Sequence, residues 1–194
     1  MSSALAIAAM TSVLKSLLDN RLIQSGVTAS VGEVTVTALP PDRITVGNDE
    51  RSQINLFLYR VTPRTTWRGG PSPSAPRSPE LTLDLYYLVT AYGARDFEAE
   101  ILLGHAMQLF LATPVLTGAA IRAALAADVA GGGGTGLAHA RFAPSVLADQ
   151  AAEITLSPEF IGGEEASRLW SALQAKYRPS VAYKVSAVTI EVEG

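Results

Sequence analysis

The chain has 194 residues, 15 basic against 18 acidic side chains, a net charge of −3 and no cysteine. Disulfides, thiol nucleophiles and cysteine-based metal sites are therefore excluded, and the acidic balance argues against a nucleic-acid binder. A chain of this length fits one core burying roughly 70% of the unfolded surface, so a single domain over residues 1–194 is expected.

The first ten residues are apolar enough to mimic the core of a signal peptide, but no basic segment precedes them and their pattern continues into a helix. Over 4–23, Met10, Val13, Leu14, Leu17 and Arg21 fall at helical spacing, with Leu18 and Leu22 widening the stripe. Lys15, Asp19 and Arg21 interrupt this stretch and Glu98 and Glu100 a later one, so neither reaches the ~20 apolar residues of a membrane span. Alternation over 33–38 predicts a half-exposed strand ended by Pro40-Pro41, and Asn48-Asp49-Glu50 marks a turn. Residues 54–61 and 81–92 are apolar on both faces, as strands in the middle of a covered sheet are.

Between them lies an arm, 62–80, with five prolines, two adjacent glycines, and Arg64, Trp67, Arg68 and Arg77. A helix with a broad apolar surface is expected over 96–112, stopped near Thr113-Pro114, and a shorter one over about 117–127. A Gly-rich loop covers 129–140. Residues 152–156 read as a strand broken by Ser157-Pro158, and Glu164 and Glu165 suit the first turn of a helix running to Tyr177. The final run, 180–193, puts Val181, Tyr183 and Val185 on one side and Ala182, Val188, Ile190 and Val192 toward the other. The sum is an α+β fold, a largely antiparallel sheet flanked by helices.

Chemistry finds little to work with. Gly131 to Gly134, Thr135 and Gly136 lack the Lys-Ser/Thr of a phosphate loop and read as a flexible surface loop. His105 and His139 have no partner at metal-ligand spacing, and Ser145 has no nucleophile-elbow context. Asp84, inside an apolar strand, reads as a structural carboxylate with Arg60 as its expected partner. No catalytic residue, cofactor or metal is expected.

Charge is segregated instead. Arg43, Arg51, Arg60, Arg64, Arg68, Arg77 and Arg95 dominate the first half, whereas 149–165 carries Asp149, Glu153, Glu159, Glu164 and Glu165 without a base. Such stretches either meet between subunits of a ring or serve as solvated faces. Trp67 either folds over its own core or anchors an interface, and Arg64 and Arg68 beside it favour the interface. The interface candidates are thus Arg64, Trp67, Arg68, Arg77, Glu164 and Glu165. Tyr183 and Val185 join them because the last strand either sits centrally or offers an edge for strand addition.

The blocks INLFLYRVTP, LTLDLYYLVTAYG, AEILLGHAMQLF, TPVLT and LWSALQAKYRPSVAYKVSAVTIE, in this order and spacing, resemble the N-terminal domain of the cap, or tube-terminator, proteins of extracellular contractile injection systems. These are the phage-tail-like particles typified by the Photorhabdus virulence cassette and the antifeeding prophage. The resemblance implies a tail-terminator-like fold and a structural ring, six-fold, closing the inner tube and contacting the last sheath layer. It also implies three partners, namely the chain itself, the inner tube protein and the sheath protein, with no nucleic acid and no membrane insertion. Assembly would take place in the bacterial cytoplasm, before any release in an extracellular particle. The alternatives are a tail terminator or completion protein of a true phage, and a polyanion- or small-molecule-binding module.

Overall fold

The computed structural model describes residues 5–64, 80–130 and 154–191. Helix α1 (Ala6–Ser25) buries Met10, Val13, Leu14, Leu18 and Leu22 along one stripe and ends at Gly26, whose φ of 65° supplies the left-handed cap. A single turn, α2 (Thr28–Val31), leads to β1 (Thr35–Thr37). Strand β1 is shorter than the alternation over 33–38 predicts, and at its C-terminal end a side chain takes over the backbone's hydrogen bonds. Asn55, fully buried, accepts from Thr37 Oγ1 at 2.8 Å and from Leu39 N at 3.0 Å, and donates to Leu39 O at 2.9 Å. The chain then enters a 3-10 turn at Pro41–Arg43.

The remaining elements are β2 (Gln53–Pro63), β3 (Glu80–Tyr92), α3 (Glu98–Ala112), β4 (Val115–Leu116), α4 (Gly118–Ala130), β5 (Ile154–Glu159), α5 (Gly163–Ala172) and β6 (Ser180–Glu191). They complete one six-stranded sheet of order β1-β2-β3-β6-β5-β4. β1 runs parallel to β2 and every other pair is antiparallel. Pro158 lies within β5 rather than ending it. A proline is tolerated in a strand with an open edge, and β4 pairs β5 only at Ile154 and Thr155. The Gly-rich stretch beyond α4, with His139 and Ser145, lies outside the described residues.

One face of the sheet carries Ile54, Leu56, Leu83, Leu85, Tyr87, Val89, Tyr183, Val185 and Val188, and α1, α3 and α4 close over it. Tyr87 meets Thr11 through their hydroxyls at 2.9 Å, and burial drives its pKa far above the ordinary phenol value. Ser16 Oγ donates to Ala124 O at 2.9 Å and ties α1 to α4. The other face is covered only in part: Leu88 and Ala182 are buried beside Trp170 of α5, and the Arg178 guanidinium lies 5.3 Å from the centre of the buried Tyr92 ring.

Two buried carboxylates tie the turns at one end of the sheet. Glu50 accepts from Arg178 Nη2 at 2.6 Å and Gly93 N at 3.1 Å. Glu98 accepts from Ser52 Oγ at 3.0 Å, from Arg95 N at 3.1 Å and from Arg95 Nε. For both, burial works to raise the pKa but these hydrogen bonds outweigh it and hold the carboxyl below its usual range.

Candidate interface on the partly covered face of the sheet

Beyond the rim of α5 the second face becomes an arginine and tyrosine patch, and its geometry follows from a bulge. The β2–β3 register shifts between Leu58 and Arg60, so Tyr59 is the extra residue and Arg60 is set opposite Tyr86. The Arg60 guanidinium lies 3.8 Å from the centre of the Tyr86 ring, and the Tyr59 ring meets that of Tyr86 edge-on at 6.3 Å. It also faces Glu159 at 3.3 Å and Glu165 at 3.6 Å. Burial raises the Tyr59 pKa, against the opposing Arg60 charge.

These contacts correct the expected pairing of Arg60 with Asp84. Asp84 faces Arg64 instead, at 3.5 Å, because β2 and β3 place Thr62 opposite Asp84 and so bring the next turn of chain over it. They also revise the charge argument, since Glu165 meets an arginine of its own chain and Glu164 pairs with Arg168 one helical turn away. Arg64, Glu164 and Glu165 remain surface residues. Trp67, Arg68 and Arg77 lie outside the described residues.

Tyr183 and Val185 take a different place from the one expected of an interface. Val185 is 0% and Tyr183 4% exposed, and the Tyr183 ring packs edge-on against Phe110 at 4.8 Å. Both point into the helix-covered core, and β6 lies between β3 and β5, so it offers no free edge there.

Beside the patch runs a groove of about 260 Å³ between α5 and the sheet, with Trp170 at its floor and Phe160, Tyr177 and Glu159 among its walls. A second depression, of about 460 Å³, adjoins it and shares Trp170 and Tyr177. Phe160 is 89% and Tyr177 65% exposed, whereas Trp170 is buried and meets the Tyr177 ring edge-on at 5.9 Å. Phe160 and the Arg60 cluster escape a reading by sequence spacing, since distant segments build both. A lone Phe after Pro158 carried the only local signal.

Helix α3 presents a further unusual surface. It buries Leu102, Ala106 and Phe110 and exposes Ile101, Met107 and Leu111, with the exposed Phe97 at its N-cap. A helix apolar on both sides is normally covered on both. Chemistry is sparse: among the described residues no group of three or more His, Asp or Glu could hold a metal, and His105 Nδ1 is buried without a hydrogen-bond partner. No described helix is long and apolar enough to cross a membrane.

The family model of the Pvc16 N-terminal domain matches residues 9–193. The chain belongs to this family. The comparison with curated proteins found no match. Two solved structures share the family fold. One is the sheath/tube terminator of an extracellular contractile injection system, PVC, in the extended state, at 13% identity and a TM-score of 0.52, covering 89% of this chain and 56% of that one. The other is the anti-feeding prophage cap, AFP's tube-terminating cap, at 14% identity and a TM-score of 0.52, covering 90% of this chain and 54% of that one. The chain thus spans just over half the length of each.

Proposed function

We infer that the chain is the tube-terminating part of a contractile injection particle, acting by surface complementarity rather than by catalysis. The observation that carries this reading is the family match over nearly the whole chain, and the similar fold of two structures described as tube terminators supports it. The surface fits the role. The outer face of α3 suits burial in an assembly, and the Arg60, Tyr59 and Tyr86 cluster has the residue types that dominate interface energetics.

In this reading copies of the chain form a ring on the last tube layer, six-fold in keeping with the resemblance, and the outer edge meets sheath. Polymerisation stops because the exposed end no longer offers a tube-like surface. Assembly in the bacterial cytoplasm precedes release of the particle. The test is electron microscopy of particles made with and without the gene for this chain. Tubes without it are expected to vary in length and to lack density at the terminus, and uniform, normally capped tubes would refute the role.

A further inference from the structure

We propose that the groove beside α5 receives the proline-rich run 73–79 of a neighbouring copy, so that the arm joins subunits head to tail. This rests on the cap reading for its setting but not for its chemistry. In the sequence Pro73-Ser74-Ala75-Pro76-Arg77-Ser78-Pro79 the prolines recur every third residue. A polyproline II helix has three residues per turn and rises about 3.1 Å per residue, so prolines at this spacing would share one edge at roughly 9 Å intervals if docked in that conformation. Aromatic-lined grooves recognise such edges because the fixed backbone loses little entropy on docking. The α5 groove offers Phe160, Tyr177 and Trp170.

Charge agrees. Glu159 lines the groove, and it and Glu165 both lean on the single guanidinium of Arg60. Arg60 is shared between these two carboxylates, and Lys184 lies across the strands opposite Tyr86 and Ser157, so each carboxylate keeps lone pairs open to a further donor. The run carries one arginine and no acid, so Arg77 is the donor that would meet Glu159 or Glu165.

Reach decides between the chain's own groove and a neighbour's. Pro79 is bonded to Glu80, the first residue of β3, and the groove begins at Leu88 on the same strand. Eight strand positions span about 26 Å. Pro76, four residues from Glu80, reaches at most about 14 Å, and even Pro73 reaches only about 25 Å fully extended. The run therefore cannot lie in its own groove. A contact between two unlike surfaces of one chain repeats around a ring when its rotation closes.

Because the chain has no cysteine, a disulfide trap reports this contact cleanly. Full-length copies bearing Ser78→Cys would be mixed with differently tagged copies bearing Phe160→Cys, oxidised, and run on a non-reducing gel. The mixed pair should yield a heterodimer, whereas Ser78→Cys mixed with Ile23→Cys, on the exposed side of α1, should not. Pro73→Ala with Pro76→Ala on the Ser78→Cys copy should lower the yield roughly tenfold, the effect of losing about 1.4 kcal/mol at the contact. No heterodimer, equal coupling to Ile23→Cys, or coupling indifferent to the alanines would each overturn the proposal. The two readings fail separately. Particles capped normally by chains that give no heterodimer would sink the docking and leave the cap role, and a proline-dependent heterodimer from chains that cap nothing would do the reverse.

Discussion

Gly93 is the residue whose replacement has the clearest cost. A Cβ there would stand 2.5 Å from Glu98 Cβ and 3.0 Å from Ala99 N, while its N–H donates to Glu50. Gly93→Ala is expected to destabilise the fold by roughly 1–3 kcal/mol, read as a lower urea midpoint with an unchanged slope. Glu50 gives a test in pH. Its pKa is lowered in the fold from 4.5, so its contribution is fully present above that value and fades as pH falls through the folded one. Glu50→Gln should thus be less stable than wild type by roughly 1.5–3 kcal/mol at neutral pH, and the gap should close on acidification. A gap that held constant from pH 7 to pH 3 would assign the loss to shape rather than charge. Ala187 makes the opposite case. It sits in the β3–β6 bulge with φ of 69°, a conformation glycine adopts without the strain of a side chain. Ala187→Gly should therefore stabilise the protein by up to roughly 1 kcal/mol, because relief of backbone strain exceeds glycine's entropy cost; a lower melting temperature would count against strain at that bulge.

At the scale of elements, β6 and α3 differ in what they can lose. β6 lies between β3 and β5, and its Ser186 is buried opposite Thr155 of β5, next to the bulge on the β3 side. Ser186→Pro removes a ladder donor from an interior strand, and the expected outcome is a chain that fails to fold, seen as loss of near-ultraviolet circular dichroism. A folded product would mean that the β5 side of β6 is dispensable. Leu111 on α3 is 79% exposed, so Leu111→Lys should leave the melting temperature within about a degree or two, as surface changes do. Under the proposed role capping should nevertheless fall sharply, because a charge would then enter a face proposed to be covered in the particle. Full capping by that variant would show that α3 faces solvent in the particle.

For the whole molecule the proposed ring raises the question of what would hold copies together. Segregated charge along the chain suggests salt-sensitive assembly, yet the fold takes up part of it internally: Arg60 meets Glu159 and Glu165, Arg178 meets Glu50, and Glu164 meets Arg168. Among the described residues large apolar and aromatic side chains are exposed as well, at Phe97, Leu111, Phe160 and Tyr177, and these offer contacts of the other kind. Oligomer mass is therefore expected to change little between low and high salt, since screening over ~10 Å at 0.1 M acts on exposed charges and not on apolar contacts. Dissociation by 0.5 M salt would restore ionic pairing as the main force.

The sequence by itself determined the features with a local period. The α1 stripe, the two-sided strands β2 and β3, the stop before Pro114 and the arm between the long strands all follow from spacings of two or about 3.6 residues and from proline. It also determined the family, through ordered blocks rather than any one motif. Only the tertiary structure decided which partner each element takes. Alternation groups Tyr183 with Val185 but, in a strand apolar on both sides, cannot say that their face is the covered one. A bulge at Tyr59 reassigns Arg60 from Asp84 to Glu159 and Glu165, and the buried amide of Asn55 takes the backbone bonds of Leu39 just past the end of β1. These outcomes depend on contacts between residues 16 to more than 100 positions apart, where loop closure and packing, not local pattern, select among otherwise equal pairings.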